Sequence, residues 1–185
     1  RFAEVLPDAK VVVVLPADET GRWKALAAEN RLAETHTVCA GGDSRFASVR
    51  NGLAILPDCG VIAVHDGVRP LVSAELILAA FESAGVYGSA IPVVEPVDSF
   101  RTITGDGSQP FARAELRAVQ TPQVFKGEIL RNAYDTPFRP EFTDDASVVE
   151  AAGGLVTLIA GERRNIKITT PDDLVVAEAL MAGRG

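Results

Sequence analysis

The stretch Val61-Ile-Ala-Val-His65-Asp66-Gly67-Val68-Arg69-Pro70 joins a buried strand to a polar loop. Its run of apolar residues predicts a strand that is covered on both faces of a sheet. In open α/β sheets, ligands bind outside the carboxyl ends of the strands, so Asp66 and Arg69 are candidate site residues. The same loop also fits a plain turn in which Asp66 caps the chain and Arg69 is a solvated charge. The stretch alone leaves both interpretations open.

Composition favours one globular domain. The chain has 185 residues, of which 47% are hydrophobic, which suits a single buried core and excludes a disordered chain. No apolar run approaches the roughly 18–20 residues that a membrane span needs. The net charge of −7 argues against a nucleic acid or an anionic membrane as partner, because both favour a basic face.

Cysteine and histidine usage indicates neither a disulfide framework nor a metal site. Cys39 and Cys59 lack Cys-x-x-Cys spacing, and His36 and His65 are the histidines of the chain. We therefore predict no metal-ligating residues and a cytoplasmic location, where both thiols stay reduced.

The N-terminus predicts a domain that continues upstream. The chain opens at Arg1, with no methionine and no signal-peptide pattern. Phe2, Val5 and Leu6 have the spacing of the last turns of a helix, which Pro7 ends. We therefore expect residues 1–185 to form one domain whose first elements lie before Arg1.

Strands and helices alternate along the chain, which predicts a mostly parallel sheet flanked by helices. The predicted strands are Val11–Val14, His36–Ala40, Val61–Val64, Ser89–Val94 and Leu155–Ile159. Apolar residues at helical spacing predict helices around Trp23–Ala27, Phe46–Leu56, Leu76–Phe81 and Asp145–Val149 and after Thr170. Ser73 and Thr170 are the predicted N-caps of two of these helices.

Residues 95–119 interrupt the alternation. The segment from Asp98 to Ile103 runs into the glycine turn Gly105-Asp-Gly107 and returns through Phe111 and Arg113, a pattern typical of a β-hairpin. Its strand edges would be unpaired within a compact α/β domain. We therefore predict a protruding arm that is either a lid or a contact with a partner subunit.

Three further loops would lie near Asp66. The glycines of Gly41–Arg45 leave the backbone open to a flat base or a phosphate, although such pairs are most often turns. Gln120–Phe125 by itself predicts a plain turn from a strand to a helix. Arg163–Thr170 reads as a strand in which Asn165 and Lys167 share one face, so that Lys167 points either into the site or into water.

The side chains in these loops suit phosphoryl or nucleotidyl transfer. No Ser-His-Asp arrangement and no activated cysteine is visible, and the candidates are cations, hydroxyls and carboxylates. Such transfers need positioning and positive charge around the developing oxyanions more than covalent help. Carboxylates can bind sugar hydroxyls or lie near Mg²⁺ that phosphates carry.

Together, these loops resemble the 2-C-methyl-D-erythritol 4-phosphate cytidylyltransferase family of the non-mevalonate isoprenoid pathway. The matching segments, in the order of the family, are Gly41–Val49, Val64–Pro70, Gln120–Phe125, Thr143–Ser147 and Asn165–Thr169. The resemblance implies a Rossmann-like, nucleotide-diphospho-sugar transferase-like fold. It also implies transfer of CMP from CTP to the phosphate of methylerythritol phosphate, with release of pyrophosphate and with Mg²⁺ held mainly by the CTP phosphates.

The resemblance also assigns roles to individual residues. The residues implied for CTP are Gly41, Gly42, Asp43, Arg45, Ser48, Asp66, Gly67 and Lys167, and those for the acceptor are Asp66, Arg69, Ser99, Arg113 and Thr143. Arg113 and Lys167 are the implied catalytic cations. Arg69 either binds the acceptor or supports the arm. In this family the arm reaches into the other subunit, so residues 95–119 would form a dimerisation arm.

The chain departs from the family pattern at two places. It has Ser99 and Arg101 where the family has threonine and lysine, which keeps the hydroxyl and the charge but changes the cation geometry. The family's N-terminal strand and its glycine-rich loop with an arginine and a lysine are absent from these residues. We therefore expect residues 1–185 alone to be nearly inactive.

Two alternatives accompany this interpretation. One is a cytidylyltransferase for another polyol phosphate, such as ribitol 5-phosphate, because few residues define the acceptor. The other is a non-catalytic nucleotide-binding module that dimerises.

Overall fold

The computed structural model describes residues 1–32 and 35–183 and contains the predicted alternation of strands and helices. The α-helices are α1 Phe2–Val5, α2 Thr20–Glu29, α3 Arg45–Ile55, α4 Ala74–Tyr87, α5 Gly127–Tyr134, α6 Asp145–Ala151 and α7 Pro171–Ala182. The strands are β1 Val12–Leu15, β2 Thr37–Ala40, β3 Val61–Val64, β4 Ser89–Val94, β5 Phe100–Thr104, β6 Gly107–Phe111, β7 Ala118–Val119, β8 Gln123–Lys126 and β9 Leu158–Ala160. Short 3₁₀ helices cover Ala17–Glu19 and Arg113–Glu115.

The sheets confirm the α/β class with mostly parallel strand directions. β1 and β2 form a parallel pair. In the five-stranded sheet, β3 and β4 each pair antiparallel with β8, so these two strands run in the same direction. β9 is parallel to β4, and the short strand β7 is antiparallel to it. The carboxyl ends of β3 and β4 therefore point to the same edge of the sheet.

Helices cover the sheet through apolar faces that the sequence pattern predicts. α4 buries Leu76, Ile77 and Ala80, and its N-cap is Ser73, whose hydroxyl accepts a hydrogen bond from the Leu76 N–H. α1 packs against the start of α4 through Phe2 and neighbouring apolar residues. The main core lies between β3, β4, β8 and the helices α3, α5 and α6.

Two segments of the five-stranded sheet differ from their predictions. β9 begins at Leu158 rather than at Leu155, because the hydroxyl of Ser89 donates to the carbonyl of Leu155 and accepts the N–H of Thr157. This side chain thus replaces ladder bonds at the start of the predicted strand. The segment Gln120–Phe125 is not a turn into a helix: Gln123 begins β8, which lies between β3 and β4.

The hairpin in residues 95–119 consists of β5 and β6, paired from Phe100 with Phe111 to Thr104 with Gly107. Gly107 has a φ of 151°, which favours glycine at this turn. All residues of both strands are exposed.

Among residues 1–32 and 35–183, no helix is long and apolar enough to cross a membrane.

Candidate active site

Asp66 lies just beyond the carboxyl end of β3 and faces three cations. Its carboxylate is 3.2 Å from Lys167 Nζ, 3.5 Å from Arg69 Nε and 3.8 Å from Arg45 Nη2. Burial alone would raise the pKa of Asp66, but the attraction of Lys167, together with that of Arg45 and Arg69, lowers it below its usual value. Asp66 is therefore ionised at neutral pH. The sequence-predicted residues Arg45, Asp66, Arg69 and Lys167 lie together in one cluster.

Arg45 is held by a second carboxylate, which is buried. Its Nη1 and Nη2 donate to the two oxygens of Asp145 at 3.0 and 2.6 Å, and the Tyr134 hydroxyl donates to the same carboxylate at 2.6 Å. Burial and the adjacent carboxylate raise the pKa of Tyr134. The pKa of Arg45 is also raised, because these charges outweigh its own desolvation. This side of the cluster is a rigid, charge-assisted network.

The Gly41–Arg45 loop approaches α3 closely. The Gly42 N–H donates to Ser48 Oγ at 3.1 Å, and the hydroxyl of Ser44 caps α3 by accepting the N–H of Ala47. A Cβ added at Gly42 would lie 2.6 Å from the Cβ of Ala47. Glycine is therefore required here by the close approach of loop and helix. Asp43 is exposed in the same loop, next to the N-terminus of α3, which favours anions.

Arg69 and Lys167 differ in what they can reach. The Arg69 side chain is 12% exposed, and its Nη1 donates to the carbonyl of Asn165 at 2.7 Å. The Lys167 side chain is 47% exposed although it pairs with Asp66. Arg69 thus joins two loops of the protein, whereas Lys167 retains room for a ligand.

The loop that carries Lys167 is not the predicted strand. Asn165 is fully buried, and its amide donates to the carbonyl of Thr121 at 2.8 Å, while Lys167 is exposed. The two side chains therefore do not share a face. The physical reason is that the Asn165 N–H closes a turn with the carbonyl of Glu162, and the Asn165 carbonyl accepts Arg69 instead of a ladder partner.

Three predicted acceptor residues lie outside the cluster within this chain. Arg113 follows β6 and its Nη1 donates to the carbonyl of Val97 at 2.6 Å, and Ser99 is exposed just before β5. Thr143 is exposed at the start of α6, two residues before Asp145. Among the residues that the structure describes, neither Arg113 nor Ser99 pairs with Asp66 or its cations.

Sequence reasoning missed Asp145 as a partner of Arg45. Asp144 alone caps α6, through a capping box with Ser147, so the acid after it was free for another role. A second acid at a cap, followed directly by the apolar residues of a buried helix face, is the signal that could have identified it. Gln123, also buried, holds this cap by donating to Asp144 and accepting the N–H of Ala146.

The cluster as a whole suits an anionic ligand. Three cations face Asp66, Arg45 also pairs with Asp145, and Arg45 and Lys167 are each more than one-third exposed. Among the described residues, no group of three or more His, Cys, Asp or Glu side chains could hold a metal ion. Asp66 is already paired with cations, which makes it a poor sole ligand for Mg²⁺.

The sequence of the chain matches a known protein family over nearly its whole length. The family model of 2-C-methyl-D-erythritol 4-phosphate cytidylyltransferase matches residues 4–183. The Bacteroides fragilis protein of that name is 47% identical over 181 residues, which cover 98% of this chain and 81% of the relative.

Solved structures agree with the sequence match. The crystal structure of the Thermus thermophilus cytidylyltransferase of the same name has a TM-score of 0.76 at 34% identity, over 93% of this chain and 81% of that one. The 4-diphosphocytidyl-2C-methyl-D-erythritol synthase of Anaerococcus prevotii has a TM-score of 0.84 at 26% identity, over 97% and 82% of the two chains. The chain therefore belongs to the 2-C-methyl-D-erythritol 4-phosphate cytidylyltransferase family.

Proposed function

We propose that the protein transfers CMP from CTP to 2-C-methyl-D-erythritol 4-phosphate, giving 4-diphosphocytidyl-2-C-methyl-D-erythritol and pyrophosphate for isoprenoid biosynthesis. The observation that carries the proposal is the cluster of Asp66 with Arg45, Arg69 and Lys167 in a chain of this family. A cluster with excess positive charge favours a polyphosphate and the charge that develops during its cleavage.

In the proposed reaction, a phosphate oxygen of the acceptor attacks the α-phosphorus of CTP. A new P–O–P linkage forms while the bond from the α-phosphorus to the oxygen that bridges to the β-phosphorus breaks. The electron pair of that bond leaves with pyrophosphate. Lys167, exposed beside Asp66, contributes positive charge at the phosphates, and Arg113 is proposed to do so from the arm.

The remaining roles divide between nucleotide and acceptor. The proposed CTP contacts are the loop residues Gly41, Gly42, Asp43 and Ser48, with Arg45 supporting the loop, and Asp66 and Gly67 at the ribose. Ser99, Arg113 and Thr143 are proposed acceptor contacts. The partly buried hydrogen bond of Arg69 to the Asn165 carbonyl favours a supporting role for Arg69 over direct contact with the acceptor.

Mg²⁺ is proposed to enter with CTP. The donor set fits this arrangement, because the carboxylate of the cluster is balanced by protein cations and phosphate oxygens are the better ligands available. When bound, the ion would neutralise phosphate charge. The protein's own residues position the phosphates.

We also propose a cytoplasmic location.

A homodimer formed through the arm is proposed from the exposure of β5 and β6. Apolar side chains on this hairpin are open to solvent, and Ile103 is 80% exposed. A second subunit that covered them would also bring Arg113 and Ser99 to a neighbouring site. Burial of such side chains is a common source of dimer stability.

Pyrophosphate release by the full-length protein tests the reaction. The protein is incubated with CTP, Mg²⁺ and one polyol phosphate at a time, and rapid release is expected with methylerythritol phosphate. Release with ribitol 5-phosphate alone would identify the other cytidylyltransferase. CTP binding without release for any acceptor would identify a non-catalytic module.

A further inference from the structure

We propose that His65, as a neutral imidazole, is a positioning residue: it holds the turn from Asp66 to Arg69 so that the Asp66 carboxylate faces its three cations. His65 directly precedes Asp66, and its two ring nitrogens contact the Arg69 carbonyl and the Thr121 hydroxyl rather than a charged side chain. The inference rests on the proposed function for its consequence in catalysis. The hydrogen bonds that hold the turn are contacts within the chain itself.

A relay of hydrogen bonds connects both ends of this turn. The Asp66 N–H donates to Thr121 Oγ1 at 3.0 Å, and Thr121 Oγ1 lies 3.0 Å from His65 Nδ1. His65 Nε2 lies 3.0 Å from the carbonyl oxygen of Arg69. The turn itself is closed by the Arg69 N–H, which donates to the Asp66 carbonyl at 2.9 Å. One imidazole and one hydroxyl therefore fix the turn at its first and last residues.

The partners determine the tautomer of His65. A carbonyl oxygen only accepts, so Nε2 must carry the proton that faces Arg69. Nδ1 is then unprotonated and accepts a hydrogen bond from the Thr121 hydroxyl. The oxygen of the same hydroxyl accepts the hydrogen bond from the Asp66 N–H. If Nδ1 also carried a proton, the Thr121 hydroxyl could no longer donate its proton to that nitrogen. The relay is thus complete with the neutral ring.

The surroundings of the ring favour the same state. The Phe2 ring of α1 lies 5.1 Å from the imidazole between centroids, and it carries no charge. The charged groups that face the ring are Asp66 and Arg69, on its own loop. Asp66 raises the pKa of His65 and Arg69 lowers it. Burial lowers the pKa of His65 below its usual value.

The relay is needed because the three cations lie on separate parts of the chain. Arg45 begins α3, Arg69 ends the turn, and Lys167 belongs to the loop before α7. Without a fixed backbone, the Asp66 carboxylate could move toward one cation and leave the others. Errors of about 1 Å at a reacting centre can cost about 100-fold in rate.

Kinetics of full-length variants test the inference. His65→Leu, which removes both hydrogen bonds, is expected to lower kcat about 10- to 100-fold and to raise the KM for CTP by a smaller factor, because Asp66 is a proposed ribose contact. His65→Asn keeps an acceptor near Nδ1 and His65→Gln a donor near Nε2, so each should recover part of the loss. His36→Leu is the matched control, because His36 accepts a hydrogen bond from Trp23 away from the cluster. It should leave kcat unchanged.

A double-mutant cycle separates positioning from general destabilisation. If His65 acts through Asp66, His65→Leu should lower the residual kcat by less than about twofold in an Asp66→Asn protein. An equal loss in both backgrounds, or an unchanged kcat in His65→Leu alone, would overturn the proposal.

A measurement without turnover keeps the inference separate from the proposed function. ¹³C NMR titration of the Asp66 carboxyl is expected to show a pKa that moves toward its ordinary value in His65→Leu, because the carboxylate leaves its cations. His36→Leu should have no such effect. An Asp66 titration unchanged in His65→Leu would overturn the inference even if the wild-type protein released no pyrophosphate.

Discussion

Arg45 and Asp145 lie 100 residues apart in the chain and form a two-pronged ion pair, with N–O distances of 3.0 and 2.6 Å. The pair joins the first residue of α3, directly after the glycine loop, to the first turn of α6. Tyr134 donates to the same carboxylate from the end of α5. The position of the proposed nucleotide loop therefore depends on a buried acid far away in sequence.

Replacing Asp145 should destabilise the protein. Asp145→Asn leaves the charge of Arg45 without its partner, and we expect a loss of about 2–3 kcal/mol in the free energy of unfolding, measured with urea. Glu4→Gln is the control, because it removes an exposed ion pair with Arg1 that contributes less than about 1 kcal/mol. Equal losses in the two variants would contradict a special role for the buried pair.

Lys167 should matter for turnover and little for folding. Lys167→Ala removes a half-exposed ammonium 3.2 Å from Asp66, so the free energy of unfolding should fall by less than about 1 kcal/mol. We expect kcat for pyrophosphate release to fall by more than about 10-fold, since a preorganised charge is lost. The exposed residue Lys24 on α2 offers the control Lys24→Ala, which should change neither quantity. An unaltered kcat in Lys167→Ala would make Lys167 a solvated surface charge.

The sequence predicted those parts of the fold that local signals determine. The run Val61–Val64 and the segment Ser89–Val94 are strands with the predicted bounds, and Ser73 and Thr170 are caps. In these places apolar periodicity and capping chemistry act within a few residues. β8 was not predicted, because its four residues follow a proline and their strand partners lie far away in the chain.

In the candidate site, too, local sequence signals predict some features, whereas contacts between distant residues determine the others. Asp66 is a candidate from its loop, the resemblance to the family selects Arg45 and Lys167, and the structure brings the three together. The contacts that hold them depend on pairs distant in sequence, such as Thr121 with His65 at a separation of 56 residues. Such pairs form only when the sheet aligns its loops. The sequence, read with the family resemblance, therefore identified the charged groups but not the residues that support them.

The arm should control association of two chains. Ile103→Lys places a charge on a hairpin residue that is 80% exposed in the single chain, and we expect the dissociation constant of the dimer to rise by at least about 10-fold in sedimentation experiments. Leu155→Lys is the matched control, because Leu155 is 88% exposed but lies away from the hairpin. Loss of the dimer in the control, or none in Ile103→Lys, would argue against the arm as the interface.

The cap of α7 should make folding sensitive to acid. The Asp173 carboxylate accepts the N–H groups of Thr169 and Thr170, each at 2.8 Å, and these bonds lower the pKa of Asp173 to about 2. Because the pKa is about 4 in the unfolded chain, the stabilisation is complete above pH 4 and is lost as the pH falls toward 2. Asp173→Asn should flatten the dependence of unfolding free energy on pH in this window. The neighbouring variant Asp172→Asn should keep it, and an identical slope in both would refute the assignment.

Two glycines with opposite surroundings test how closely α5 and α4 pack against the rest of the chain. A Cβ at Gly127, the first residue of α5, would lie 2.1 Å from the carbonyl oxygen of Cys59, so Gly127→Ala must displace backbone. We expect it to lower the free energy of unfolding by about 2 kcal/mol or more. Gly85 lies within α4 with no atom within 4 Å of such a Cβ, and Gly85→Ala should raise the free energy of unfolding by about 0.5–1 kcal/mol, because alanine restricts the unfolded chain and favours the helix. Urea unfolding measures both, and a free energy of unfolding that does not fall in Gly127→Ala would show that the contact of α5 with Cys59 does not limit residue size at position 127.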